Sequence, residues 1–259
     1  THQSLADTRE WLEVSAQFGP LVKPIITPRF VPSCTSELMS GLGKLAEEYN
    51  VPVQSHLSEN HGEIDWVAAL HPEAPNYTDV YYEHHLMGKI PTVMAHCIHL
   101  SDVEMDRMAE TQTMVSHCPY SNVNLSSGIA PIRKLFERKI PIGLGSDISG
   151  GHIVSMAKVL TEAIGLSKMK WVEVDQTYAP LTLSEAFYMA TKGGGKFFGK
   201  VGSFEKGCEL DALVIDDTTL FDPNERSLEE RLERWLYVGD DRHIVERYVA
   251  GKVASEPMH

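Results

Sequence analysis

Four short stretches carry the residues best equipped for chemistry. They are QSHLSE (Gln54 to Glu59), VMAHC (Val93 to Cys97), VSHCP (Val115 to Pro119) and GLGSD (Gly143 to Asp147). In each, apolar residues lead up to a His or an Asp, and helical patterning follows. Imidazole and carboxylate are the donors that a hydrolytic zinc ion takes, with one position kept open for water. A histidine at a strand end is more often structural than ligating. Chance, however, does not place His or Asp at consecutive strand ends, so His56 and Asp147 fit as metal ligands. Glu59 stands three residues after His56. It reads either as a solvated carboxylate at a helix entry or as the general acid/base that moves protons between water and substrate. His96 reads as a ligand or as the group that holds the attacking water. For His117 a structural or supporting role comes first.

Other residues carry weaker signals. Asp147 has a bland reading as a helix N-cap near Ser149. Gly143, Gly145, Gly150 and Gly151 surround it, and such glycine density points to backbone brought close to something bound. Arg29 and Phe30 follow an apolar run and combine a guanidinium donor with an aromatic face, a pairing that suits a flat polar heterocycle. An exposed arginine is the plain alternative. His84, His85 and His99 sit at loop or helix-entry positions and read as surface histidines.

The elements that must position these groups alternate. Helical spacing covers Leu5 to Phe18, about Thr35 to Tyr49, a helix after Ser149-Gly150-Gly151 to about Leu166, and Leu183 to Thr191, closed by Gly193 to Gly195. Strands are expected at Leu21 to Thr27, Val51 to His56, Thr92 to Ala95, Thr113 to Ser116 and Ile140 to Gly145. Asn60 with Glu63, and Ser101 with Glu104, have capping-box spacing. Repeated strand-then-helix units make a parallel sheet or barrel with its chemistry at the C-terminal strand ends. Five such units fall short of the eight in a closed barrel. After Gly199 the pattern changes to two β pieces, Ala212 to Ile215 and Tyr248 to Val253, with no evident partners.

Bulk properties exclude some partners. The 259 residues include 36 acidic and 23 basic side chains, a net charge of −13. A phosphate backbone selects basic surfaces, so no nucleic-acid partner is expected, nor an anionic membrane surface. The four cysteines form no C-x-x-C, and a reduced, cytoplasmic setting is the default. No apolar run approaches the ~20 residues that span a bilayer, and Thr1 to Arg9 lack the apolar stretch of a signal peptide. The P-C-x-x-C half of the H-x-E and P-C-x-x-C signature of one class of zinc enzymes, the G-x-S-x-G elbow and the phosphate loops are absent.

At VKPIITPRF (Val22 to Phe30), QSHLSEN, TVMAHC, SHCPYSN with NLSSG (Asn124 to Gly128), and IGLGSDISGG, the chain resembles the amidohydrolase superfamily and, within it, the guanine deaminases. The resemblance runs through nearly the whole chain. It implies an α/β fold of the (β/α)8 metal-dependent hydrolase type. Residues 1–199 would represent about strands 4 to 8, and residues 200–259 a segment returning to a small β-domain. Carried over, His56 is a zinc ligand from the fifth barrel strand and Asp147 the ligand from the eighth. Glu59 is the proton shuttle, and Asp147 accepts the proton of the attacking water. His96, on the sixth strand, steadies that water. Arg29 and Phe30 contact the purine. The implied reaction is hydrolysis of guanine to xanthine and ammonia, in an enzyme that is a homodimer when intact. Imidazole and carboxylate also suit iron.

One departure stands out. The superfamily's first barrel strand ends in H-x-H and supplies two of four protein ligands, and this chain contains no H-x-H. The expectation is therefore a portion of a longer enzyme that does not turn over guanine by itself. A deaminase of another aminated ring and a truncated relative kept as a binding module are the alternatives.

Overall fold

The computed structural model describes residues 1–254. They divide into two compact units, Thr1–His117 with Ser126–Ile142, and Cys118–Leu125 with the chain from Gly143 onward.

In the first unit, α1 (His2–Ser15) packs on α2 (Ser36–Tyr49). Helix α2 starts where Thr35 Oγ1 accepts the amide of Leu38 and stops at Asn50 in a left-handed conformation. Its buried Met39, Leu42, Leu45 and Ala46 recur at helical spacing. Strand β1 (Val53–Leu57) leads into α3 (His61–Leu70). The reciprocal Asn60–Glu63 capping box forms as its spacing predicts. Helix α4 (Tyr77–Glu83), capped by Asn76, escapes the sequence reading because it is only two turns long. Strand β2 (Thr92–His96), α5 (Asp102–Thr111) with its Ser101–Glu104 capping box, and β3 (Met114–His117) follow. Helix α6 (Pro119–Asn124) belongs to the second unit and α7 (Ile132–Glu137) to the first. Strand β4 (Ile142–Leu144) completes a four-stranded sheet in the order β1-β2-β3-β4.

The pairing of β1 with β2 and of β2 with β3 is parallel, and Leu57 stands opposite His96. Val53, Leu57, Met94 and Val115 are fully buried in this core. The strand expected over Leu21 to Thr27 reduces to a single parallel bridge, Ile26 to Val53. Pro20, Pro24 and Pro28 remove the amide donors a longer ladder needs, and Leu21 is 68 % exposed. The parallel units therefore number four rather than five, plus one bridge.

In the second unit, α8 (Met156–Glu173) packs against α6 and against α9 (Leu183–Tyr188). The run Gly193 to Gly195 does not close α9. A π-helical turn, Met189–Gly193, carries the helix on through Gly195. The glycines serve close approach instead: a Cβ on Gly143 would stand 3.0 Å from the Gly194 Cα.

The C-terminal β pieces do have partners. Strand β5 (Ala212–Ile215) pairs antiparallel with β6 (Ile244–Val249), and β6 turns through Ala250-Gly251 into β7 (Lys252–Val253). Between β5 and β6 lies α10 (Leu228–Val238), which the sequence reading omits. Its capping box, Ser227 with Glu230, and its buried Trp235 and Leu236 are both legible at helical spacing. Among the described residues, no helix is long and apolar enough to cross a membrane.

Candidate active site

The first unit gathers His56, Glu59, His96, Arg29 and Phe30 at the ends of β1 and β2 and the loops around them. The His56 and His96 rings stack, with centroids 5.4 Å apart and planes 23° from parallel. Register places His96 beside Leu57, not beside His56. Strand alternation would then give His96 the direction of Leu57. Positive φ angles at His96 (70°) and Cys97 (52°) break that alternation as the strand ends. Non-glycine residues rarely occupy this region, and it recurs at functional sites.

His56 is held firmly. Its Nδ1 lies 2.5 Å from the Arg29 carbonyl oxygen. A carbonyl only accepts, so Nδ1 donates there and Nε2 is the ring nitrogen left to face a ligand, the arrangement usual for metal-binding histidines. The Tyr81 hydroxyl donates to the His56 carbonyl oxygen at 2.9 Å, and Ser55 Oγ donates to the Pro28 carbonyl at 2.7 Å. Strand β1 is thus tied to the Arg29 segment at both backbone and side-chain level.

Glu59 sits on the loop before α3, its side chain 17 % exposed. Its Oε1 accepts from Ser127 Oγ at 2.9 Å, and its Oε2 lies 3.6 Å from His96 Nε2. Glu63 supports it from below: Oε2 accepts the Glu59 amide at 2.9 Å, and Oε1 accepts from the Tyr77 hydroxyl at 2.7 Å. Burial raises the Tyr77 and Tyr81 hydroxyl pKa values, so both stay protonated donors. Arg29 is exposed, and Phe30 meets Trp66 edge to face at 6.2 Å. Trp66, 53 % exposed on α3, extends that aromatic surface. It gave no signal in the sequence beyond its residue type.

His117 is fully enclosed. Burial, reinforced by the nearby His96, pushes its imidazole down to about 3, so it is neutral. Its Nδ1 has no hydrogen-bond partner. Two of the three expected surface histidines differ from that reading. His99 is half-buried, its Nε2 donates to the Ser127 carbonyl at 2.8 Å, and its ring lies 4.0 Å from that of His61. His84 is half-buried against Ser40 Oγ at 2.8 Å, and burial, with His71 beside it, lowers its pKa. His85 is exposed.

Asp147 belongs to the second unit, where it is half-buried with φ at 45°. A Cβ on Gly150 would meet Asp147 Oδ2 at 2.6 Å and Ser121 Oγ at 2.7 Å. Glycine is therefore required there, and the carboxylate and hydroxyl face one small space. Ser121 Oγ is buried with no partner, an orphaned donor-acceptor beside the carboxylate. The Asn124 side-chain amide donates to the Gly150 carbonyl at 2.7 Å and steadies the loop.

Each unit offers a donor of the kind a hydrolytic metal takes, the first an imidazole anchored through Nδ1 and the second a carboxylate beside the orphaned Ser121 hydroxyl. These donors do not complete a metal site in number. Among the described residues, no three His, Cys, Asp or Glu side chains group as a metal site.

The amidohydrolase family profile matches residues 3–254. The chain belongs to the amidohydrolase family. Among its amidohydrolase relatives, the guanine deaminase of Dictyostelium discoideum is 43 % identical over 97 % of this chain and 57 % of its own length. The crystal structure of guanine deaminase from C. acetobutylicum with bound guanine in the active site superposes with a TM-score of 0.94 at 53 % identity, over 97 % of this chain and 60 % of that one. The E. coli guanine deaminase structure gives 0.89 at 37 % identity, over 98 % and 60 %. The amidohydrolase fold expected from the sequence is therefore the one observed. The chain spans somewhat over half the length of these relatives.

Proposed function

We propose that the full-length protein is a zinc-dependent guanine deaminase that hydrolyses guanine to xanthine and ammonia. The relatives named as guanine deaminases supply the substrate. Within the site, the reading is carried by one observation: the Glu59 carboxylate is fixed at one oxygen by Ser127 and faces His96 with the other.

In this reading His56 and Asp147 hold the metal, and the remaining ligands come from sequence that the relatives possess beyond the length matched here. Bound zinc would supply Lewis-acid activation of water near neutral pH. Asp147 accepts the proton of the attacking water, and His96 orients that water by hydrogen bonding. Glu59 takes the other proton of that water and delivers it to the ring nitrogen beside the amino-bearing carbon, and the proton held by Asp147 passes to the amino group, which departs as ammonia. Arg29 donates to the purine carbonyl while Phe30 packs on the ring face.

Residues 1–199 make up the barrel portion and 200–259 the return to a small β-domain. We assign the intact enzyme to the cytoplasm as a homodimer without nucleic-acid or membrane partners. The charge of −13 and the four cysteines without C-x-x-C spacing support that setting.

The test is xanthine formation by the full-length, zinc-loaded protein, beside adenosine, cytosine and an aminotriazine as rival substrates. Guanine should be preferred, and chelation should abolish turnover. Preference for another aminated ring would move the assignment to a different deaminase of the family. No turnover of any of them would reduce the protein to a binding module.

A further inference from the structure

The two oxygens of Glu59 have different neighbours, and the neighbour of Oε1 comes from a distant loop. Ser127 lies 68 residues along the chain, is 6 % exposed, and donates its hydroxyl to Oε1 at 2.9 Å. That loop is fixed on several sides. Ser126 and Gly128 have φ angles of 57° and 129°. A Cβ on Gly128 would stand 3.1 Å from Ile98 Cγ2 and 3.3 Å from His99 Cε1, so glycine lets the loop lie against residues 98 and 99. His99 Nε2 donates to the Ser127 carbonyl at 2.8 Å, and the His61 ring lies 4.0 Å from the His99 ring. The amides of Ile98 and His99 both donate to the Ser58 carbonyl at 3.1 Å, one residue before Glu59. The loops after β1, β2 and α6 therefore meet around one carboxylate.

We propose that Ser127 is a positioning residue for the Glu59 proton shuttle, with His99 as the strut that holds Ser127 in place. The inference rests on the deamination reading and deepens it. The terminal torsion of a glutamate is broad, so an unheld carboxylate presents either oxygen. With Oε1 occupied by a hydroxyl donor, a proton taken from water resides on Oε2. That is the oxygen facing His96, where the attacking water is steadied. The same proton then leaves from Oε2 to the ring nitrogen, and Glu59 returns to the carboxylate that Ser127 holds. Ser127 itself gives up no proton.

The experiment uses the full-length, zinc-loaded enzyme. Ser127→Ala should lower kcat roughly tenfold, the scale of one charge-assisted hydrogen bond, with KM, metal content and Tm close to wild type. Ser127→Thr keeps the hydroxyl and should restore most of the loss. His99→Phe removes the strut and should lower kcat by a smaller factor. Crystal structures of the metal-free wild type and Ser127→Ala provide a readout that needs no activity: Glu59 should point to Ser127 in the first and swing away in the second. A Glu59 carboxylate that stays in place in Ser127→Ala, or a kcat equal to wild type, overturns the inference. If the wild type fails to deaminate guanine while Glu59 still swings, the reaction assignment falls and the positioning contact stands.

Discussion

At the scale of single residues, the proposed mechanism separates holding a metal from moving a proton. Glu59 touches Ser127 and lies near His96, and it has no part in the proposed ligand set. Glu59→Gln in the full-length protein should therefore keep its metal and its affinity for guanine while turnover falls at least ~10²-fold, the usual scale for losing a general acid/base. Normal turnover in that variant would return Glu59 to the role of a helix-entry carboxylate. His56 and Asp147 should behave in the opposite way. His56 is anchored through Nδ1 to the Arg29 carbonyl, and Asp147 faces the orphaned Ser121 hydroxyl across Gly150. Alanine at either position should remove metal and activity together. Elemental analysis showing full metal content in both variants would exclude them as ligands.

At the scale of elements, the start of α3 does two jobs. Glu63 closes the capping box with Asn60, accepts the Glu59 amide and receives the Tyr77 hydroxyl. Glu63→Ala would leave the buried Tyr77 hydroxyl and the helix entry without their acceptor. We expect a loss of about 1–3 kcal/mol in stability, the cost of a lost cap and an unsatisfied buried donor. A fall in kcat should accompany it, because the Glu59 backbone is released. Urea unfolding and steady-state kinetics on the same preparation check both parts. Lower stability with unchanged kcat would mean that the cap stabilises α3 without steering the shuttle.

At the scale of the whole molecule, the neutral, buried His117 couples stability to pH. Its folded pKa lies near 3, well below the ordinary imidazole value of 6.5. The unfolded chain takes up a proton below about pH 6.5 that the folded protein refuses. Stability from this group is therefore complete above pH 6.5 and declines as pH falls toward 3, by roughly 1.4 kcal/mol per pH unit. Wild type should lose urea resistance from pH 7 to pH 5 more steeply than His117→Gln, which has no such proton to bind. Equal slopes for the two would show that His117 is protonated in the folded state.

The sequence by itself determined whatever neighbours along the chain decide. The capping boxes at Asn60 and Ser101, the Thr35 cap and the strands that carry His56, His96 and His117 lie where local spacing puts them, because their hydrogen bonds close within one turn or follow one periodicity. The family motifs added the chemistry expected at those ends. Tertiary structure decided what depends on chain folding back over long separations. The bond from Ser127 to Glu59 and the His99 strut link loops that no local pattern connects. The stacking of His96 on His56 follows a positive φ that a histidine's residue type does not announce. Prolines cut the Leu21 to Thr27 run to one bridge, since a ladder needs donors at successive residues. The β5 and β6 strands, separated by the whole of α10, found each other through register rather than sequence proximity. Periodicity tells which face of an element is apolar; only packing tells which distant side chain meets it.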